Sequence, residues 1–214
     1  WLEGVSHTIK GYKILMFKFL DTSARKYPAN IFTIFAGAKR TYAQAKETSD
    51  RVAAFLAGKG IKKGDKVAIF LPNLPHFPEI FFGILKTGAV AVNCNPVYTA
   101  SELNHQLKDS QSRMVFCMDH PEFYKNTVEA VKGTDVDTVV VCNIKSYLPR
   151  LKGFIGGLLG KIPKADKIQP GHLMFDDVVA SSSPAPPDVK IDPENDTAVM
   201  LYTGGTTGLP KGAE

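Results

Sequence analysis

The residues best suited to chemistry stand at the end of the chain. Thr203-Gly204-Gly205-Thr206-Thr207-Gly208-Leu209-Pro210-Lys211-Gly212 follows directly on the apolar run Ala198-Val-Met-Leu201 and Tyr202. Glycine lets a backbone turn tightly and approach a ligand closely. Threonine hydroxyls, backbone N–H groups and the Lys211 ammonium supply donors and positive charge, the combination that grips a polyphosphate. A simple turn would not need ten such positions behind a strand-like run, so a phosphate loop is the reading adopted. It is not a Walker loop: Lys211 lies between Pro210 and Gly212, where that motif requires Gly-Lys-Ser/Thr. Kinase and GTPase readings fall away with it.

No other constellation competes. His7, His76, His105, His120 and His172 are scattered, with no HExxH, and read as surface or packing residues. Ser181-Ser-Ser183 sits in a Pro-rich connector spanning 180–196 and has no nucleophile motif around it. Cys94, Cys117 and Cys142 lie far apart in apolar runs, which favours buried reduced thiols over metal ligation or disulfides and points to a reducing, cytoplasmic compartment. The residues alone name no metal.

The elements that must hold the loop follow from hydrophobic pattern. An amphipathic helix is expected over 11–27, with Ile14, Leu15, Phe17, Phe19 and Leu20 as its apolar set, stopped at Tyr27-Pro28. Ile31–Phe35 and Arg40–Tyr42 read as strands about a turn at Gly37, and 43–58 reads as a helix. Strands at Lys66–Leu71, Ala89–Asn93, Arg113–Met118 and Thr138–Cys142 then alternate with helices at Pro78–Lys86, Ser101–Lys108 and Pro121–Lys132. Thr197–Tyr202 is read as the last strand. Short apolar strands separated by helices predict an α/β fold, a mostly parallel sheet flanked by helices.

Charge is uneven. The net +5 arises wholly between Lys145 and Lys167, where six basic residues meet one acid, Asp166; the rest of the chain balances. A protein-wide nucleic-acid footprint is therefore not expected. On a helical wheel Leu148, Leu151, Phe154, Ile155, Leu158, Leu159 and Ile162 form one arc, flanked by Arg150, Lys152 and Lys161. Residues 144–175 thus read as a basic amphipathic insertion. Packing of its apolar face on its own domain is the preferred reading, because Gly153, Gly156, Gly157 and Gly160 each weaken an isolated helix by about 1 kcal/mol. Peripheral contact with the inner face of a membrane, through Arg150, Lys152, Phe154 and Lys161, is the rival. No apolar run approaches the roughly 20 residues of a membrane span.

Tyr202 to Gly212 resembles the phosphate loop of the adenylate-forming (AMP-binding) superfamily, the acyl-CoA synthetases, luciferases and peptide-synthetase adenylation domains. Gly204 is similar to the long-chain fatty-acyl-CoA ligase branch. Three further segments, in order, also resemble it: Arg40-Thr-Tyr42, Lys63–Asn73, and Gly83–Thr99 with Glu102–Asp109 behind it. Within that resemblance Gly88 and Asn93-Cys-Asn-Pro96 are assigned to turns and Tyr98 to packing. The resemblance implies the N-terminal subdomain of the adenylate-forming fold and ATP-dependent activation of a long-chain fatty acid to acyl-adenylate and then acyl-CoA. ATP, Mg2+ and coenzyme A are implied as co-substrates and cofactor. An aryl, short-chain or amino acid as substrate, or a non-catalytic docking protein, stays open. The expectation is a segment truncated after the phosphate loop, without the family's downstream catalytic segments and without ligase activity alone.

Overall fold

A computed structural model describes residues 13–149, 164–203 and 211–213. The first helix, α1 (Phe17–Lys26), is shorter than its pattern suggests. Its buried stripe is Phe17, Leu20 and Ala24, while Phe19 and Ile14 face outward. The expected helix merged two apolar sets, of which only one keeps the i, i+3, i+7 spacing of a single face. A hairpin of β1 (Ile31–Phe35) and β2 (Ala38–Thr41) follows. Ala36 and Gly37, both at positive φ, make its turn.

The helix α2 (Tyr42–Gly58) starts on a capping box in which Thr41 and Gln44 satisfy each other's backbone N–H. Then come β3 (Lys66–Phe70), α3 (His76–Lys86), β4 (Val90–Asn93), α4 (Ala100–Ser110), β5 (Ser112–Met118), α5 (Pro121–Ala130) and β6 (Thr138–Cys142). A 3-10 turn at Ile144–Tyr147 leads out of β6. The strand β7 (Leu173–Met174) and the helix α6 (Phe175–Ser181) lead back in, followed by β8 (Val199–Thr203) and β9 (Lys211–Ala213).

Seven strands form one sheet in the order β7-β6-β5-β3-β4-β8-β9, parallel except for the β8–β9 pair. Alternation of side chains divides the core between its faces. Val67, Ile69, Ala91, Phe116 and Val140 pack with α1, α2, α3 and α6. Ala68, Phe70, Val92, Val115 and Val141 pack with α4 and α5. The expected α/β sandwich is thus the fold.

Two close contacts set the helix layer on the first face. A Cβ on Gly83 would lie 2.6 Å from Val52 Cγ1 and 3.0 Å from the Ser49 carbonyl, so glycine lets α3 approach α2. Lys86, buried at the end of α3, pairs with Asp50 at 2.5 Å and Asp21 at 2.8 Å and so joins α1, α2 and α3. Buried charge is tolerated there because it is paired.

The ends of the expected 144–175 insertion lie inside this architecture. Tyr147 and Phe175 are buried, and Leu173–Met174 is the edge strand against β6. Arg150, Lys152, Phe154 and Lys161 fall outside the described residues.

Candidate phosphate-binding site

Ligands of open parallel sheets sit at the carboxyl ends of the strands, near the point where the strand order reverses. Here the order reverses about β3, with β4 on one side and β5 on the other. Ile69, Asn93 and Leu201 stand level across β3, β4 and β8. The Cys94 N–H donates to the Ile69 carbonyl at 3.0 Å, carrying the pairing one residue past β4. Gln106 Nε2 donates to the Asn93 carbonyl at 3.1 Å, tying α4 to that strand end. Thr99 and Glu102 form the capping box that starts α4.

The candidate loop leaves this edge from β8. The sequence pattern placed the last strand before the loop, but a further strand lies beyond it. In β9, Lys211 faces Thr203, Gly212 faces Tyr202 and Ala213 faces Leu201. The chain that departs at Thr203 therefore returns beside it at Lys211, and a hydroxyl and an ammonium flank the mouth of the loop. Gly204, Gly205, Thr206, Thr207, Gly208, Leu209 and Pro210 lie outside the described residues. Lys211 is exposed, and no ion pair among the described residues involves it. Its charge faces solvent, as an anion-binding cation requires.

Gly212 lies close against two side chains of β8. A Cβ there would sit 3.2 Å from both Tyr202 Cζ and Met200 Sδ. The Tyr202 hydroxyl donates to Asp109 Oδ2 at 2.6 Å. Burial, and next the hydrogen bond to Asp109, push the phenol well above its usual range, so Tyr202 stays a neutral donor.

A second polar group lies under the first face, and pattern reading did not find it. Glu79 Oε1 accepts from Arg40 Nε at 3.0 Å and Nη2 at 2.8 Å, and Glu79 Oε2 accepts from Tyr147. The Arg40 guanidinium also lies over the Tyr147 ring, 5.0 Å from its centroid. His76, fully buried, packs 4.2 Å from Tyr147 and 5.0 Å from Phe175 between ring centroids. Burial raises Glu79 to about 7 against the pull of Arg40 and the Tyr147 hydrogen bond. Burial, and next the Arg40 charge, lower His76 to about 3. These residues come from β2, α3 and the turn after β6, so only the fold brings them together. The group ties β2 and α3 to the turn after β6.

The three cysteines are buried free thiols. Burial raises Cys117 to about 12 and pushes Cys94 and Cys142 upward too, which leaves them inert. Among the described residues no cluster of three or more His, Cys, Asp or Glu could hold a metal ion. None of the described helices is long and apolar enough to cross a membrane.

A family model described as AMP-binding enzyme matches residues 20–214. A long-chain-fatty-acid–CoA ligase of Bacillus subtilis is 34% identical over 196 residues, covering 90% of this chain and 35% of that protein. Among solved structures, MbtA of Mycobacterium smegmatis shares 31% identity at a TM-score of 0.72, over 94% of this chain and 33% of its own. A long-chain-fatty-acid-CoA ligase from Archaeoglobus fulgidus shares 25% identity at a TM-score of 0.72, over 96% of this chain and 37% of its own. The chain thus spans about a third of the length of the relatives it resembles. Since the match takes in every strand of the sheet and both sides of the loop stem, this chain belongs to the AMP-binding enzyme family.

Proposed function

We propose that this chain supplies the polyphosphate grip of an enzyme that activates a long-chain fatty acid with ATP and transfers the acyl group to coenzyme A. The observation that carries this reading is the stem, with Thr203 and Lys211 opposed across the mouth of a Gly/Thr loop at the carboxyl edge of a parallel sheet. The fatty-acid part rests on the names of relatives such as the Bacillus subtilis ligase.

In the first step a carboxylate oxygen of the fatty acid attacks the α-phosphorus of ATP. The bond to the bridging oxygen breaks, and pyrophosphate leaves with its electron pair. In the second step the coenzyme A thiol attacks the acyl carbon, loses its proton, and AMP departs. Negative charge shifts onto the leaving pyrophosphate in the first step. Loop N–H groups, the hydroxyls of Thr203, Thr206 and Thr207, and the Lys211 ammonium suit that task, because preorganised donors stabilise developing charge without rearranging. Magnesium, when bound to the nucleotide, would neutralise part of the phosphate charge. The described residues of this chain offer no cluster to ligate it independently.

The test is fatty-acid-dependent exchange of radioactive pyrophosphate into ATP by a polypeptide that carries this segment together with the family's remaining length. Exchange is expected with palmitate. Lys211→Ala should slow it more than it slows thioester formation from supplied acyl-adenylate. Exchange driven only by an aryl or amino acid would overturn the substrate, and equal slowing of both steps would overturn the role of Lys211.

A further inference from the structure

Tyr202 does something that the loop motif does not assign. Its ring and Met200 pack against the core beneath α4 and α5, while its hydroxyl reaches Asp109 Oδ2 at 2.6 Å. Asp109 stands in the last turn of α4, and that helix is held at several points. Thr99 and Glu102 cap its start, Gln106 binds the end of β4, and Ser110 shares a 2.7 Å hydrogen bond with Ser112 at the head of β5. The acceptor for Tyr202 is therefore mounted on a rigid body.

β8 is held on its other side by β4, but β9 is an edge strand with β8 as its one sheet partner among the described residues. Three residue pairs join β8 to β9, and Leu201, Thr203 and the whole of β9 are exposed. Tyr202 adds a tie from this edge to the helix layer. Its ring lies against Gly212, where an added Cβ would come within 3.2 Å of Tyr202 Cζ. One side chain thus contacts both strands of the stem and the helix behind them.

We propose that Tyr202, through Asp109, is a positioning residue for the β8–β9 stem: it fixes that stem so that Thr203 and Lys211 face a bound polyphosphate together. The proposal rests on the phosphate-grip reading and adds the part of the protein that aims the grip. A carboxylate acceptor makes this a charge-assisted hydrogen bond, stronger than a neutral one.

The experiment uses the 214-residue chain and four variants, Tyr202→Phe, Asp109→Ala, Asp109→Asn and the reference Lys211→Ala. Binding of magnesium pyrophosphate is measured by titration calorimetry, and amide hydrogen exchange is followed along β9 and the central strands. Tyr202→Phe and Asp109→Ala are expected to weaken pyrophosphate binding about tenfold, the loss of one charge-assisted hydrogen bond. They should speed exchange at Gly212 and Ala213 while leaving β3 and β5 protected. Asp109→Asn keeps an acceptor and should restore most of both. Unchanged affinity in Tyr202→Phe and Asp109→Ala would overturn the proposal, and so would acceleration spread equally over β3 and β5. If the unaltered chain binds no pyrophosphate, the phosphate-grip reading fails instead. Selective exchange at Gly212 then still decides whether Tyr202 anchors the stem.

Discussion

Glu79→Gln offers a perturbation whose sign can be worked out from the buried group around Arg40. The ordinary value of the carboxyl is 4.5, and in the fold it rises to about 7. A raised carboxyl contributes stability that is fully present below 4.5 and is lost as the pH rises through about 7. At about 1.4 kcal/mol per pH unit, crossing that span removes about 3 kcal/mol. His76 acts in the opposite sense. Its ordinary value of 6.5 falls to about 3, so its contribution is present above 6.5 and is lost as the pH falls through about 3. Between 4.5 and 6.5 the two slopes oppose each other: the unfolded chain protonates His76, the folded chain protonates Glu79, and the proton difference cancels. Glutamine keeps a carbonyl acceptor for Arg40 and turns an amide N–H2 donor toward the Tyr147 hydroxyl, but it cannot titrate, leaving His76 unopposed. The variant should therefore gain about 3 kcal/mol relative to the parent between pH 4.5 and 6.5. Urea unfolding of both proteins across that range, compared as the variant-minus-parent difference, measures this directly. A difference independent of pH across that range would refute the reasoning and show instead that Glu79 is ionised in the fold, its ion pair with Arg40 outweighing burial; the difference would then change only below about pH 4.5.

Two further perturbations probe the scaffold and the basic segment. Gly83→Ala should destabilise the fold by about 2 kcal/mol, since its methyl would meet Val52 at 2.6 Å and the Ser49 carbonyl at 3.0 Å; chemical denaturation showing no loss would mean that α2 and α3 separate freely. Liposome flotation tests whether residues 150–163 touch membranes. Binding to anionic vesicles that charge reversal at Arg150, Lys152 and Lys161 abolishes would support contact, and binding unchanged by it would reject it.

The parallel sheet was readable because each central strand is a short apolar run with a helix pattern behind it, and Val67–Phe70 and Val139–Cys142 are buried on both faces as such runs imply. The loop was readable because its glycines and threonines are contiguous. The strand after it was not. Lys211-Gly-Ala213 has no periodicity, and it becomes a strand only through its pairing with β8. The edge strand Leu173–Met174 was equally silent, being two residues that extend because β6 presents an open side. The Arg40–Glu79–Tyr147 group and the Tyr202–Asp109 bond escaped for another reason. Each joins residues far apart in the chain, and a polar residue bound for burial looks in sequence like any surface residue. In α1 the pattern was present but overfull, and packing selected Phe17 over Phe19.

Whether Thr203 to Gly212 holds polyphosphate can be read at the residues themselves. Titrating magnesium pyrophosphate into the isotopically labelled 214-residue chain, while recording amide NMR spectra, asks that question at the residues concerned. Saturable shifts confined to the amides of the loop and its stem are expected, weakened strongly by Lys211→Ala. An absence of shifts in that segment, or identical shifts in Lys211→Ala, would contradict polyphosphate binding through this loop.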